Sequence, residues 1–335
     1  MALANLQACC LVISLPMKLR CAILDDYQNV ASSMANWAAI EDKVEFRFLN
    51  QHFEREDDLV QFLAEYQILV VMRERTSFTA SLLARLPLLK LIVTSGMRNT
   101  AIDTKFAALR GIVVSGTRSG SEPPAELTWA LILGLARSIV SENESFRNSG
   151  PWQSSIGADL FGKQLGLLGL GKIGSRVARV GLAFGMKVVA WSQNLTDERV
   201  LAVGVKQARS KEDLFKTSDF VSIHLVLSDR TKDFVGTAEL NWMKPTAYLI
   251  NTSRAQIVND AALIDALQNR RIAGAGLDVF EREPLPEGHL LRTLPNLLST
   301  PHLGYVTQSN YYTYYHDALE DIEAFLTGSP IRRLS

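Results

Sequence analysis

Eleven short apolar bursts recur along the chain from Leu19 to Thr300, and they constrain the fold more than any other feature. The first five read LRCAIL, VEFRFL, QILVVM, KLIVTS and IVVS. The next six read QLGLLG, MKVVAW, DFVSIHL, TAYLIN, GAGLDV and NLLST. A strand with one wet face alternates apolar and polar residues, whereas most of these runs are apolar throughout, as strands buried on both faces are. Longer amphipathic stretches separate them. That rhythm belongs to parallel sheets covered by helices on both sides, an α/β fold.

The two series are divided by Ser121-Glu122-Pro123-Pro124-Ala125-Glu126 and then LTWALILGLARSIV. Prolines in a first turn, with acids beside them, start a helix well. The body of this helix is apolar on nearly every side, so it is expected to be a buried hinge helix between two domains. Beyond Gly304, the stretch YYTYYHDALEDIEAFL predicts one more amphipathic helix. A chain of 335 residues with 47% hydrophobic content can fill two cores of this size.

The opening MALANLQACCLVISLP has its first positive charge, Lys18, after the apolar run, the reverse of a secretory leader. The run is also too short to span a bilayer. Residues 1–16 are therefore expected to be a disordered extension. The 35 basic and 35 acidic residues balance, which argues against a nucleic-acid or membrane partner. Cys9, Cys10 and Cys21 offer neither a disulfide framework nor zinc-ligand spacing, so no metal site and a cytoplasmic location are expected.

Within the second series, Gly169-Leu170-Gly171-Lys172-Ile173-Gly174 follows a strand, opens the helix SRVARVGLAF and is followed by the strand MKVVAW. In that setting Gly169 allows the tight turn and Gly171 lets backbone approach a pyrophosphate. Gly174 lets helix pack closely on strand, and the helix start favours the anion. Where an acid ordinarily grips the ribose hydroxyls of NAD, this chain has Ser192-Gln193-Asn194. These side chains do not repel a 2′-phosphate and can donate hydrogen bonds to it, so NADP is expected over NAD. No arginine lies in the loop itself, and Arg199 stands several residues on, so NAD stays open as the alternative.

Four polar residues lie at or past the ends of three later strands: Arg254 after TAYLIN, Asp278 and Glu283 at and after GAGLDV, and His302 after NLLST. Parallel strands bring all of them to the carboxyl edge of one sheet, where open α/β sheets bind ligands. The set resembles the D-isomer-specific 2-hydroxyacid dehydrogenase family. The resemblance is carried by the glycine loop, NTSRA, GAGLDVFEREPLP and TPHLG in the same order and spacing, from about Met17 onward.

The resemblance implies two doubly wound parallel-sheet domains, a Rossmann cofactor domain (121–304) inserted into a flavodoxin-like substrate domain (17–120 and 305–335). It implies a homodimer and a small 2-oxo or 2-hydroxy acid substrate, of the glyoxylate or hydroxypyruvate type. His302 would be the general acid that protonates the carbonyl oxygen as hydride arrives. Glu283 would hold the other ring nitrogen and favour the protonated ring. Arg254 would bind the substrate carboxylate and carbonyl through its planar fork. Asp278 would bond the nicotinamide carboxamide, with Leu225 and Thr252 also lining the coenzyme. His224 is expected to shape the cofactor-side loop, and His52, His289 and His316 have no comparable setting.

Two departures from the family pattern stand out. Ala255 follows Arg254 where glycine is usual. In TSGMRNTAIDT, Arg98 takes the place of the second glycine of a loop whose backbone N–H groups bind the substrate carboxylate. Gly96, Met97 and Arg98 are thus candidate substrate contacts, and Arg75, with Arg73, could extend an anionic pocket. Two other readings share the scaffold: a phosphoglycerate- or formate-type dehydrogenase, and a non-catalytic NAD(P)-sensing corepressor-like protein. Formate enzymes of this fold generally carry Gln beside the histidine, which Glu283 is not.

Overall fold

The computed structural model describes residues 18–334; the expected extension at residues 1–16 lies outside them. The chain divides into two compact units. One runs through Ser119 and resumes at Tyr311, and the other is Gly120–Asn310.

The first unit holds five parallel strands, β1 (Leu19–Ile23), β2 (Val44–Phe48), β3 (Ile68–Val71), β4 (Leu91–Thr94) and β5 (Val113–Gly116). Their order is β2-β1-β3-β4-β5, the doubly wound flavodoxin-like arrangement. Every residue of β3 and β4 is buried, as their unbroken apolar runs require. Each such Val, Ile or Leu contributes about 1.5–3 kcal/mol on burial. The connecting helices α1 (Ala31–Met34), α2 (Glu56–Leu63), α3 (Ala80–Ala84) and α4 (Thr104–Leu109) are short. Side-chain caps define the last two: Thr79 accepts from the Leu82 N–H and Asp103 from the Phe106 N–H.

The second unit holds seven parallel strands, β6 (Gln164–Leu168), β7 (Lys187–Trp191), β8 (Lys206–Gln207), β9 (Phe220–Ile223), β10 (Tyr248–Asn251), β11 (Gly274–Leu277) and β12 (Leu297–Ser299). Their order, β12-β11-β10-β9-β6-β7-β8, reverses direction beside β6, the switch point of a Rossmann sheet. The sequence bursts match these strands except for β8. That strand has two exposed polar residues and no apolar run to announce it.

Helix α5 (Glu122–Ala136) carries proline in its first turn and packs on β10, β11 and β12. Leu131 and Leu135 sit against Gly276, which accounts for its apolar body. The expectation of one long helix through Val140 is corrected at Ser138, whose left-handed φ of 50° ends α5 and starts α6 (Ile139–Arg147). The remaining helices of this unit are α7 (Lys172–Ala183), α8 (Asp197–Val203), α9 (Lys211–Thr217), α10 (Thr237–Trp242) and α11 (Asp260–Gln268).

The final helix, α12 (Gln308–Leu326), has its body in the first unit, where Tyr314, Tyr315, Ala318 and Ile322 are buried. The tail after it lies along the β5 edge. The Leu334 N–H donates to the Val114 carbonyl at 2.7 Å, and the Gly116 N–H donates to the Arg332 carbonyl at 2.9 Å. This pairing covers an otherwise open strand edge.

Candidate active site

The glycine loop sits where β6 passes into α7. Gly169 has φ +105°, a left-handed value, and a Cβ there would lie 2.7 Å from the His224 carbonyl oxygen. At Gly174 an added Cβ would lie 2.3 Å from the Gly169 carbonyl oxygen, so this glycine sets the closeness of helix to strand. Gly171 differs: a Cβ there meets nothing within 4 Å, leaving its backbone open on one side. Lys172 is exposed, Ile173 is half-buried and packs into the core, and Leu225 borders Gly169. An open backbone over a helix N-terminus is what a pyrophosphate needs, so the chain fits a dinucleotide. Ser192 is partly buried and Gln193 and Asn194 are exposed, directly beyond β7. Arg199 lies in α8, exposed, its N–H turned to the Thr196 cap.

His224 lies beneath this loop. Its Nε2 is 2.9 Å from Ser222 Oγ, while its Nδ1 is buried without a partner among the described residues. Burial drives its pKa down to about 4, so the ring is neutral near pH 7.

Along the same sheet edge, β10, β11 and β12 deliver the other candidates. Adjacent strands lie about 4.8 Å apart, so the ends of β10 and β12 are roughly 10 Å from one another. After β10, buried Asn251 organises the turn. Its Oδ1 accepts from the Ser253 N–H at 3.0 Å and its Nδ2 donates to the Arg254 carbonyl at 3.0 Å. Ser253 Oγ donates to the Ile223 carbonyl at 2.8 Å, tying the turn to β9. Arg254 is half-buried and extended, with Nη1 donating to the Ser253 carbonyl at 2.7 Å. Thr252 has its hydroxyl 2.8 Å from that of Thr128, which itself donates to the Pro124 carbonyl. The Thr252 hydroxyl is therefore engaged by α5, not held out toward a ligand.

After β11 and β12 the chain builds a linked acid–imidazole pair. His302 Nδ1 is 2.6 Å from Glu283 Oε2, and Glu283 Oε1 accepts from the Phe280 N–H at 2.9 Å. Nε2 is thus the ring nitrogen left for an outside group. Tyr305 meets the imidazole edge-on at 5.0 Å. His302 has φ +54°, left-handed and costly for a residue with a Cβ.

Asp278 holds that conformation in place. Fully buried, its carboxylate accepts from Thr300 Oγ1 at 2.6 Å, the Leu303 N–H at 2.7 Å and the Gly304 N–H at 2.8 Å. Burial raises its pKa, opposed by those hydrogen bonds and by the nearby His302. The expected bond to the coenzyme thus competes with three donors from the chain itself. This bracing of the histidine loop is a role that sequence reasoning missed; the Thr300-Pro301-His302 spacing after a buried Asp was its only signal.

Gly96 has φ +84°, and a Cβ there would overlap the Arg73 guanidinium. Its N–H is spent on Thr117 Oγ1 at 2.8 Å, so the loop's open donors move to Met97 and Arg98, whose N–H groups have no partner among the described residues. Both side chains are exposed. Arg75 is held by the Asp25 carbonyl, Tyr311 Oη and the Tyr27 ring. His52, His289 and His316 each lie beside a carboxylate, of Asp25, Asp260 and Glu320 respectively. His316, Asp317 and Glu320 approach one another closely, but Asp317 and Glu320 are already paired with Arg118 and Arg332.

Comparisons with known proteins identify the family. Residues 129–304 match the family model described as D-isomer specific 2-hydroxyacid dehydrogenase, NAD binding domain. A glyoxylate reductase of Aeropyrum pernix is 40% identical over 257 residues, 74% of this chain and 76% of that protein. A D-3-phosphoglycerate dehydrogenase of Synechocystis is 35% identical over 83% of this chain. The chain spans about half the length of the phosphoglycerate dehydrogenases it matches, 50% in that case. A crystal structure of a phosphoglycerate oxidoreductase from Vibrio cholerae superposes with a TM-score of 0.88 at 36% identity, covering 93% of this chain and 100% of that one. The chain belongs to the D-isomer-specific 2-hydroxyacid dehydrogenase family and is a nicotinamide-linked oxidoreductase of that class.

Proposed function

We propose that this enzyme reduces a small 2-oxo acid, of the glyoxylate or hydroxypyruvate type, to the 2-hydroxy acid (the D-isomer where the product is chiral) with NADPH. The observation that carries the reading is the 2.6 Å pairing of His302 Nδ1 with Glu283, which leaves Nε2 as a proton donor at the carboxyl edge of a dinucleotide-binding sheet. Gly169, Gly171, Lys172, Ile173 and Gly174 hold the coenzyme's pyrophosphate, and Ser192, Gln193 and Asn194 meet its adenosine ribose. The coenzyme, when bound, supplies a hydride to the carbonyl carbon. Arg254 binds the substrate carboxylate and turns its carbonyl oxygen toward His302. His302 Nε2 protonates that oxygen, and the Glu283 carboxylate stabilises the ring while it carries the proton. Asp278 keeps the histidine loop from relaxing. The N–H groups of Met97 and Arg98, with the Arg98 and Arg75 side chains, form the substrate end of the first unit.

A homodimer is part of the same reading. None of the residues of α6 is buried, and Phe146, Trp152, Ile156 and Phe161 are all strongly exposed on this stretch of the second unit. Apolar surface of that kind is the mark of a covered face, and a second copy is the occupant proposed. Sedimentation of the purified protein at twice the monomer mass supports it; a monomer refutes it. No helix among the described residues is long and apolar enough to cross a membrane.

Steady-state kinetics with NADPH and NADH across glyoxylate, hydroxypyruvate and pyruvate test the proposal. Turnover favouring NADPH, with glyoxylate and hydroxypyruvate preferred over pyruvate, supports it. Absence of turnover with every 2-oxo acid favours a non-catalytic nucleotide sensor instead.

A further inference from the structure

The loop after β7 lacks a cation of its own, but the sheet brings one beside it from a different segment. β7 and β8 pair in parallel with Val189 opposite Lys206 and Ala190 opposite Gln207. The ladder continues one place further, since the Ala208 N–H donates to the Ala190 carbonyl at 2.9 Å. Carrying that register on by one more residue sets Arg209 alongside Ser192. Neighbouring strands are separated by about 4.8 Å, a span that an arginine side chain crosses.

We infer that Arg209 supplies the cation for the 2′-phosphate of the coenzyme, completing the site that Ser192, Gln193 and Asn194 begin. This rests on the NADPH reading given above. The main chain of Arg209 is anchored: its N–H donates to Asp213 Oδ2 at 3.1 Å, and the Asp213 N–H donates to Ser210 Oγ at 3.0 Å, at the start of α9. Its guanidinium is exposed and makes no hydrogen bond or ion pair among the described residues. Of the two acids that follow it, Glu212 is paired with Lys216, and Asp213 takes the Arg209 N–H on Oδ2 rather than its guanidinium.

The competing cations are otherwise placed. Lys211 Nζ is 2.6 Å from Glu239 Oε1, donates to the Phe234 carbonyl at 3.2 Å and lies over the Phe234 ring. Lys206 is two places further from the carboxyl edge than Ala208. Arg199 belongs to α8 and has no register with β7. A guanidinium pairs with a phosphate through two parallel N–H donors, so Arg209 matches this ligand chemically as well as in position.

Titration calorimetry with 2′,5′-ADP and 5′-AMP, which differ only in the 2′-phosphate, tests the assignment without turnover. The wild-type enzyme is expected to bind 2′,5′-ADP at least tenfold more tightly. Arg209→Ala is expected to remove most of that difference while leaving 5′-AMP affinity within twofold; Arg209→Lys restores part of it, and Arg199→Ala changes neither. If wild-type enzyme shows no preference for 2′,5′-ADP, the NADPH reading and this inference both fall. If the preference survives Arg209→Ala, only the role of Arg209 falls. Equal loss of both ligands in that variant would assign Arg209 to structure and overturn the inference too.

Discussion

Glu283 grips His302 through one carboxylate oxygen and its own loop, at the Phe280 N–H, through the other. Both oxygens are acceptors, so the pair can support an imidazole carrying protons on both nitrogens. Glu283→Gln keeps the shape but not this capacity. If its Nε2 faced the Phe280 N–H, two donors would meet; the amide must therefore turn its Nε2 to His302 Nδ1, which fixes the ring as neutral. The expected result is a fall in kcat on the order of tenfold or more, with little change in coenzyme affinity by fluorescence titration. An unchanged kcat would remove Glu283 from the proton path.

The glycine loop offers a paired test of shape against ligand approach. A Cβ at Gly174 would lie 2.3 Å from the Gly169 carbonyl, so Gly174→Ala is expected to lower stability by about 1–3 kcal/mol in denaturant unfolding. A Cβ at Gly171 meets nothing in the chain, so Gly171→Ala should cost at most about 1 kcal/mol at this helix cap. That variant should nonetheless bind NADPH at least tenfold more weakly, because its methyl group occupies the approach of the pyrophosphate. Equal coenzyme affinity in Gly171→Ala would place the phosphates elsewhere.

Much of this was legible from the chain alone, for definable reasons. Continuous apolar runs such as QILVVM and TAYLIN identify strands buried on both faces, and parallel pairing then forces Arg254, Asp278 and His302 to one edge. What could not be read depends on register and backbone. The two-residue β8 has no hydrophobic signal, so the placement of Arg209 beside Ser192 emerges only from the pairing of Ala190 with Gln207. The break at Ser138 is a single left-handed residue inside an apolar stretch. The commitment of the Gly96 N–H to Thr117 and of the Asp278 carboxylate to Thr300, Leu303 and Gly304 are three-dimensional facts with no periodicity to reveal them.

Arg98 is exposed beside two open backbone N–H groups, where glycine is usual in the family. Arg98→Ala is expected to raise KM for dicarboxylic or phosphorylated 2-oxo acids several-fold more than for pyruvate, because only the former bring a second anion. The same factor for all substrates would show that the side chain faces solvent during turnover.

Asp321 supplies a stability test independent of catalysis. It is fully buried in α12, with Oδ1 3.0 Å from Arg332 Nε and Oδ2 without a partner among the described residues. Burial pushes its carboxyl up to about 7 from an ordinary value of 3.8. A carboxyl raised on folding binds its proton more tightly in the folded state, so its stabilisation is complete below about pH 4 and is lost as pH rises toward 7. Asp321→Asn cannot ionise. The difference in Tm between variant and wild type is therefore expected to move in favour of the variant from pH 4 to pH 7, by at most a few kcal/mol of stability. A difference independent of pH would mean that Asp321 is ionised throughout.

The most direct measurement of the central claim is the rate of NADPH oxidation with glyoxylate and hydroxypyruvate for wild-type enzyme and for His302→Asn, beside the coenzyme affinity of each. The expected result is measurable wild-type turnover, a loss of kcat on the order of a hundredfold or more in the variant, and unchanged coenzyme binding. Wild-type protein that binds coenzyme yet turns over neither acid, or a variant that keeps its rate, would contradict the assignment of His302 as the proton donor.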